Sequence, residues 1–442
     1  MKVLLCVHQF FPGSRTGTEV LTLELARGLR GRGHSVQILA GEAEDEVSEC
    51  TQAWLTQHLY EEFVVHRLHY GMQRRRDPIA LHFDAPSRVG LFREIAVRFM
   101  PDIVHFNHVL GFSARVLSGA RDLGVPTFFT ATDFWVVCPK VTLFREFDKR
   151  VCSGPGDGKD CIRCFSAAPQ WLATLAHTAS STALTALSGK LSSVRSLRER
   201  PSKMAEQVNT ATKIFVSTRF LAEILTRHGI DPGRVRVIPY GVELGTLPER
   251  VAMAPQFSAE RPLQLGFIGS LVELKGAHVI LEALIQLGER SRAVRLDLYG
   301  AAVASSAYVR SLKELASRIA GEVRFAGTFP HEEIGSVLRG FHLLVVPSVW
   351  YESAPLVLCS ALAAGTPVLV SALGGLTEPV AEGVNGFSFP AGDAAALAAR
   401  ISHLLKQPEL LSSLAQSADG RHRNLSNYVD DIESEYLKAL ST

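Results

Sequence analysis

Apolar residues in this chain come in short dense runs, separated by longer segments where they recur every third or fourth position. The first run, "KVLLCVHQF", is dense enough for a strand buried on both faces. "GTEVLTLELARGLRGRG" follows, with Val20, Leu23, Leu25, Ala26 and Leu29 near a helical period, and "HSVQILA" reads as the next strand. A strand–helix–strand opening calls for a parallel sheet. "PDIVHFNHV", "PTFFTATDF" and "KIFVSTRF" read as further strands with polar exit loops. The alternation then restarts: "PLQLGFIGSL" is a strand, "KGAHVILEALIQLGER" a helix, and "VRLDLYG", "VRFAGTF", "HLLVVPS" and "TPVLVS" are strands with helical segments between.

The pattern predicts an α/β protein of two doubly wound Rossmann-like domains facing a central cleft. The first spans 1–240, with a cysteine-bearing insert at 138–164 and a helical segment at 167–205. A Pro- and Gly-rich linker covers 241–261, the second domain 262–420, and a helix at 421–442 would pack back across the junction. A length of 442 residues suits such a plan. In sheets of this kind ligands bind at the carboxyl ends of the strands, so a site between the domains is expected.

Composition adds exclusions. Apolar residues are 47% and charged residues 20% of the chain, and the formal net charge is +2, so no overall charge points to nucleic acid. The basic clusters Arg74, Arg75, Arg76 and "VRSLRER" (194–200) read as solvated faces. No secretory leader is legible at the start, and no run of ~18 strongly apolar residues suggests a membrane span. The nearest, "AAPQWLATLAHTASSTALTALSG" (167–189), is diluted by polar residues and reads as a surface helix. The expectation is a cytoplasmic protein. With Arg195, Arg198, Arg200 and Lys203 beside it, that segment is either an amphipathic cover for the first domain or a surface that rests on an anionic membrane.

Seven cysteines are present. Cys6 and Cys359 lie in apolar runs and read as core thiols, and Cys50 stands alone. Cys138, Cys152, Cys161 and Cys164 fall within a Gly- and Asp-rich loop and suggest a metal clip, with structural zinc the simplest occupant and an iron–sulfur cluster the other. Disulfide chemistry and free thiols are the alternatives.

The loops at strand ends carry the candidate chemistry. In "FFPGSRTGTEV", Gly17 opens a helix that Thr16 or Thr18 would cap, and its free N–H groups suit a phosphate. In "FIGSLVELKGAHV", Gly269 and Ser270 end a strand and Lys275 opens a helix, as a diphosphate partner or a surface lysine. Gly374 and Gly375, with Glu378 beyond, form either another phosphate cradle or a plain turn. Glu352, between an aromatic pair and an apolar run, either caps a helix or reaches into a binding gap. "PGSRTGTE" lacks the G-x-G-x-x-G spacing a nicotinamide-dependent oxidoreductase would want.

Taken in order, "FP…GTE", "GS…KG", "YES", "SALAAGTPV", "GGLTE" and "EGVNGF" resemble the retaining glycosyltransferases of family 4, which have the GT-B fold. The resemblance runs from Lys2 to about Leu405. It implies transfer of a sugar from a nucleotide-diphosphate donor to a glycan or lipid-linked acceptor, with no metal needed for catalysis. In the family two glutamates eight positions apart flank the donor's sugar and ribose. The first matches Glu352; the second falls on Ser360, which is neutral and shorter. An arginine common in the family is replaced by Ser270, which leaves Lys275, the loop at Gly17 and Thr18, and the turn at Gly374 and Gly375 to meet the diphosphate. A His-Asp pair of the family reads Thr132–Asp133 here, so Asp133 either orients the donor or acceptor or is the N-cap of a helix over "FWVV". His105 and His108 are expected to face the cleft on the acceptor side. The cysteine insert is similar to one in a bacterial subset of the family, which implies a shared structural role. A relative that binds the donor without turnover is the competing reading, motivated by Ser360, Ser270 and Thr132.

Overall fold

The structure, a computed structural model, describes residues 1–44, 53–71, 77–156, 159–166, 192–301, 306–418 and 423–441. Cys50, the triplet Arg74, Arg75 and Arg76, and the apolar stretch read at 167–189 lie outside the described residues. The chain forms two compact units, Met1–Pro239 with Ser426–Thr442, and Tyr240–Leu425.

The first unit is built on an eight-stranded sheet. Its strands are β1 (Lys2–Val7), β2 (Ser35–Glu44), β3 (Trp54–Tyr60), β4 (Phe63–Gly71), β5 (Ile103–Phe106) and β6 (Thr127–Ala131). After a small hairpin of β7 (Phe144–Arg145) and β8 (Arg150–Val151), β9 (Lys213–Val216) and β10 (Val235–Val237) complete it. The order is β10-β9-β6-β5-β1-β2-β4-β3, with β3 antiparallel to β4 and the other pairings parallel. The dense apolar run of β1 follows from this: Val3 to Val7 are all fully buried, because β2 and β5 flank the strand and helices cover the sheet. The hairpin β3–β4 was not legible as strands. "WLTQHLY" sits at the sheet edge with no residue fully covered, so burial imposes no clean alternation on it.

The second unit has a six-stranded parallel sheet in the order β13-β12-β11-β14-β15-β16. These strands are β11 (Leu263–Ile268), β12 (Val294–Tyr299), β13 (Glu322–Gly327), β14 (Leu343–Val346), β15 (Val368–Ser371) and β16 (Gly386–Phe389). Successive side chains of β14 serve opposite cores. Leu343 and Val345 pack with the helices Ala277–Leu287 and Ala394–Lys406, while Leu344 and Val346 pack with Leu338, Leu358 and Leu362. A sheet buried on both faces leaves ligands only its strand ends. The stretch read as a linker, 241–261, falls inside this unit: Ala254 and Phe257 are buried in its core.

The last helix, Leu425–Leu440, packs against the first unit although it follows the second in sequence. Tyr428, Val429, Ile432 and Tyr436 are buried there, and Arg32 Nη1 meets Glu433 Oε2 at 2.7 Å.

Candidate functional site

In the second unit, β11 ends at Ile268 and the chain passes through Gly269 and exposed Ser270 into the single 3-10 turn Glu273–Lys275. β14 ends at Val346, and the loop 347–355 leads to the helix Leu356–Ala363. The two loops are tied by the Val349 N–H, which donates to the Leu274 carbonyl at 3.0 Å. Gly276 has φ 75°, and a Cβ there would stand 2.0 Å from the Pro347 carbonyl oxygen, so only glycine permits this approach.

The approach brings Lys275 Nζ to 2.6 Å from Glu352 Oε1. Ser348 Oγ at 2.9 Å and Trp350 Nε1 at 3.0 Å donate to the same oxygen. Glu352 is 7% exposed, and among the described residues its Oε2 accepts no hydrogen bond. Glu352 is therefore not a helix cap; Pro355 holds that position. The carboxylate is fixed through one oxygen by these three donors. Its backbone is fixed too: the Gly375 N–H donates to the Glu352 carbonyl at 3.1 Å, and a Cβ on Gly375 would meet the Ser353 carbonyl oxygen at 2.1 Å. Gly374, at φ 59°, opens that turn, and exposed Glu378 lies just past it. Ser360 is buried within the helix Leu356–Ala363, and no hydrogen bond among the described residues ties its hydroxyl to Glu352 or Lys275.

In the first unit, β1 has β2 on one side and β5 on the other, so the strand order reverses there. The carboxyl ends of β1, β5 and β6 deliver His8, His108 and Asp133. His108 Nδ1 accepts the Leu110 N–H at 3.0 Å, which assigns the ring proton to Nε2, and Nε2 donates to Asp133 Oδ2 at 2.9 Å. Asp133 Oδ1 accepts the Trp135 N–H at 2.8 Å, so the residue holds its own turn as well as the imidazole. Burial pushes the Asp133 carboxyl up. The hydrogen bonds from His108 and the Trp135 amide outweigh it and hold the carboxyl below its ordinary value. His8 lies over His108 with ring centroids 4.4 Å apart. Burial lowers His8 to about 3 against the pull of Asp133, so its imidazole is neutral at physiological pH.

Sequence reasoning passed over His8 and Glu19. Glu19 is fully buried in the first turn of the helix Gly17–Gly31, where Oε2 accepts the Thr16 N–H at 2.8 Å and Oε1 lies 3.5 Å from His8 Nε2. Thr16 and Glu19 stand at capping-box spacing, the signal that could have found the pair. Its consequence is electrostatic: the positive end of this helix already faces an internal carboxylate, which weakens the case for a phosphate at Gly17. Thr18 Oγ1 donates to Thr132 Oγ1 at 3.1 Å, so both threonines border this cluster.

Comparison with known proteins bears on both units. A model described as "Glycosyl transferase 4-like domain" matches residues 16–156, and one described as "Glycosyl transferases group 1" matches 250–421. Together they account for most of the chain. Each half thus matches a glycosyltransferase domain model. A D-inositol 3-phosphate glycosyltransferase of Corynebacterium efficiens is 30% identical over 273 residues, which are 58% of this chain and 63% of that protein. The chain thus spans about three fifths of the length of this curated relative. Among solved structures, the sucrose-phosphate synthase of Thermosynechococcus elongatus matches with TM-score 0.68 at 19% identity, covering 100% of this chain and 99% of that one. Anabaena HepE, solved in complex with UDP and glucose, matches with TM-score 0.64 at 18% identity and covers 99% of each chain. These likenesses give the fold, two Rossmann-like α/β domains of the GT-B type.

In the first unit, two sequence expectations need correction. His105 does not face a ligand. It is fully buried, its Nε2 lies 2.7 Å from Thr130 Oγ1, and its Nδ1 is bonded to Tyr436 Oη on the last helix. Burial lowers it to about 3. Arg200 is no part of a basic surface: it is 1% exposed, and donates to the carbonyls of Trp135, Val136 and Val137 and to His82 Nδ1. Arg195 and Lys203 are exposed and paired with Glu199 and Glu206 on their own helix. No helix among the described residues is long and apolar enough to cross a membrane.

Cys138, Cys152, Cys161 and Cys164 line one small cavity, and all four are free thiols. Burial, then the neighbouring thiols, pushes Cys161 up to about 12. Among the described residues no group of three or more His, Cys, Asp or Glu side chains is gathered closely enough to hold a metal ion as it stands.

Proposed function

We propose that the chain transfers a sugar, with retention, from a nucleotide-diphosphate donor to a hydroxyl of a glycan or lipid-linked acceptor, and that catalysis needs no metal ion. The observation that carries this reading is the Lys275–Glu352 pair at 2.6 Å, with a second carboxylate oxygen that accepts no hydrogen bond among the described residues. As the bond between sugar and phosphate breaks, positive charge develops at the anomeric carbon and negative charge on the diphosphate. Groups of fixed sign placed beforehand stabilise both. Glu352 Oε2 is the hydrogen-bond acceptor for a sugar hydroxyl and the nearby negative charge. Lys275, whose side chain is 29% exposed, is the cation for the phosphates. The N-terminus of the helix Ala277–Leu287, two residues on, adds partial positive charge. The departing phosphate oxygen takes the acceptor's proton, so no separate base is required.

In the first unit Asp133 is the acceptor-side contact. Its side chain is 28% exposed, its two oxygens are oriented by His108 and Trp135, and its carboxylate form is favoured. HepE was solved with UDP and with UDP-glucose, which makes a uridine nucleotide the first donor to try. The name of the Corynebacterium relative adds a phosphorylated polyol to the acceptors worth screening.

The test is a thermal-shift screen over nucleoside diphosphates and their sugars, followed by transfer assays with the donor that shifts the transition. Transfer should be equal with and without added Mg2+, and Glu352→Gln should reduce it by about 10²–10³-fold while the donor shift persists. Full activity in that variant overturns the assignment. A donor shift in the wild-type chain with neither transfer nor donor hydrolysis would favour the binding-only reading that Ser360 motivates.

A further inference from the structure

Between Val137 and Phe165 the chain has little regular structure and is held by ion pairs such as Arg145–Asp160 and by a few buried apolar side chains. Its regular structure among the described residues is the hairpin β7–β8 and the helix Lys159–Ser166. Its buried apolar residues are Val137, Leu143, Phe144 and Ile162, the last packed on Ile79, Val194 and Leu197. Val141 (φ 72°), Leu143 (46°) and Lys149 (55°) are non-glycine residues in left-handed backbone, which L side chains adopt unfavourably. A segment this small and this strained needs a cross-link to keep its shape.

Four thiols converge where that cross-link would be. The cavity they line holds about 20 Å³, room for one water-sized body. Cys161 and Cys164 share a face of one helix at i, i+3, while Cys138 and Cys152 flank the hairpin. Backbone N–H groups are aimed at three of the sulfurs: those of Lys140 and Leu143 at Cys138, that of Gly154 at Cys152 (3.4 Å) and that of Glu146 at Cys164. Such donors suit thiolates. Arg200 supplies an independent observation. It is a buried guanidinium with no carboxylate ion pair among the described residues, bonded to the carbonyls of the three residues that precede Cys138. The charge of Asp133 acts on it only from beyond ion-pair distance, and a nearer group with excess negative charge would offset more of the cost of burying the cation.

We propose that Cys138, Cys152, Cys161 and Cys164 bind one zinc ion as a tetrathiolate that staples this insert to the first unit beside the turn carrying Asp133. Binding releases four thiol protons to solvent and changes no oxidation state. It leaves two negative charges in excess, which Arg200 partly offsets. Ligation draws the sulfurs inward into the cavity, since a Zn–S bond is about 2.3 Å. The ion acts on the fold and takes no part in sugar transfer.

The experiment uses the full chain, purified without chelator. Elemental mass spectrometry, and zinc release by a mercurial, should both find about one zinc per chain. Cys161→Ser and Cys164→Ser should lose it, and Cys359→Ala should keep it. Wild-type protein reloaded with cobalt(II) should show the sulfur-to-cobalt charge-transfer bands and strong d–d bands of a tetrahedral thiolate site, an arm that needs no variant to fold. A zinc-free chain with four titratable thiols, or with disulfides among them, overturns the proposal. So does iron with inorganic sulfide in place of zinc.

Discussion

Gly276 lets the loop that carries Lys275 approach the loop that carries Glu352. Its left-handed backbone and the Pro347 carbonyl 2.0 Å from any Cβ leave no space for a side chain. Gly276→Ala should therefore lower the urea midpoint, by about 1–2 kcal/mol from the backbone conformation alone. It should also separate Lys275 from Glu352, so kcat/KM should fall by at least ~10-fold, the equivalent of about 1.4 kcal/mol. Stability lost with kcat/KM unchanged would show that the pair is structural. The same reasoning explains what the sequence could and could not say of Glu352. Its type and its setting in "VWYESAP" marked it as unusual. That Ser348, Trp350 and Lys275 all meet one of its oxygens depends on loops 77 residues apart.

At the scale of elements, the last helix is the clearest example of a tertiary decision. Leu425–Leu440 is legible as a helix from its period, but its place comes from partners far away in sequence. Tyr436 is fully buried, with ring centroids 4.8 Å from Phe128 and 5.8 Å from His105, and Glu435 pairs with Arg236. Tyr436→Ala should cost about 3–5 kcal/mol, the range for removing a buried aromatic ring. Tyr436→Phe should cost only about 1–3 kcal/mol, because it leaves one buried imidazole nitrogen without its partner. Chemical denaturation of the two variants checks this. Equal, small effects would mean the helix is loosely held. His105 and His108 show the same limit. Both sit at the end of β5 as polar residues after an apolar run, and nothing local tells which is covered. A hydroxyl 331 residues away covers His105, while His108 keeps a partly exposed neighbour in Asp133.

At the scale of the molecule, the buried imidazoles give the fold a pH dependence of definite sign. His8, His82 and His105 are each lowered by burial to about 3 from an ordinary 6.5. For His82, the nearby guanidinium groups of Arg200 and Arg88 add to this. The unfolded chain binds these protons near 6.5 and the folded chain does not. Their contribution to stability is complete above that pH and is lost as pH falls toward 3. Urea midpoints should therefore drop steadily below pH 6.5, and 15N-labelled imidazoles should show these rings untitrated at pH 5 in the folded chain. A ring titrating near 6.5 would refute its burial.

The sequence alone determined the class of the fold and the places where chemistry could occur. Dense apolar runs alternating with helical periods admit few arrangements other than parallel sheets under helices, because backbone groups and apolar faces must both be satisfied. Polar residues at the carboxyl ends of those runs then have only the strand ends to occupy, which marked Asp133, His108, Lys275 and Glu352. Local pattern carries no information about which distant atoms come to rest nearby. Tertiary structure therefore decided that His105 is sealed, that Arg200 is buried beneath the residues before Cys138, that Glu19 occupies the first helix's positive end, and that four scattered thiols share one cavity. Each of these is set by packing between segments far apart in the chain, where burial fixes the charge, the partner and the access of a side chain whose identity alone leaves all three open.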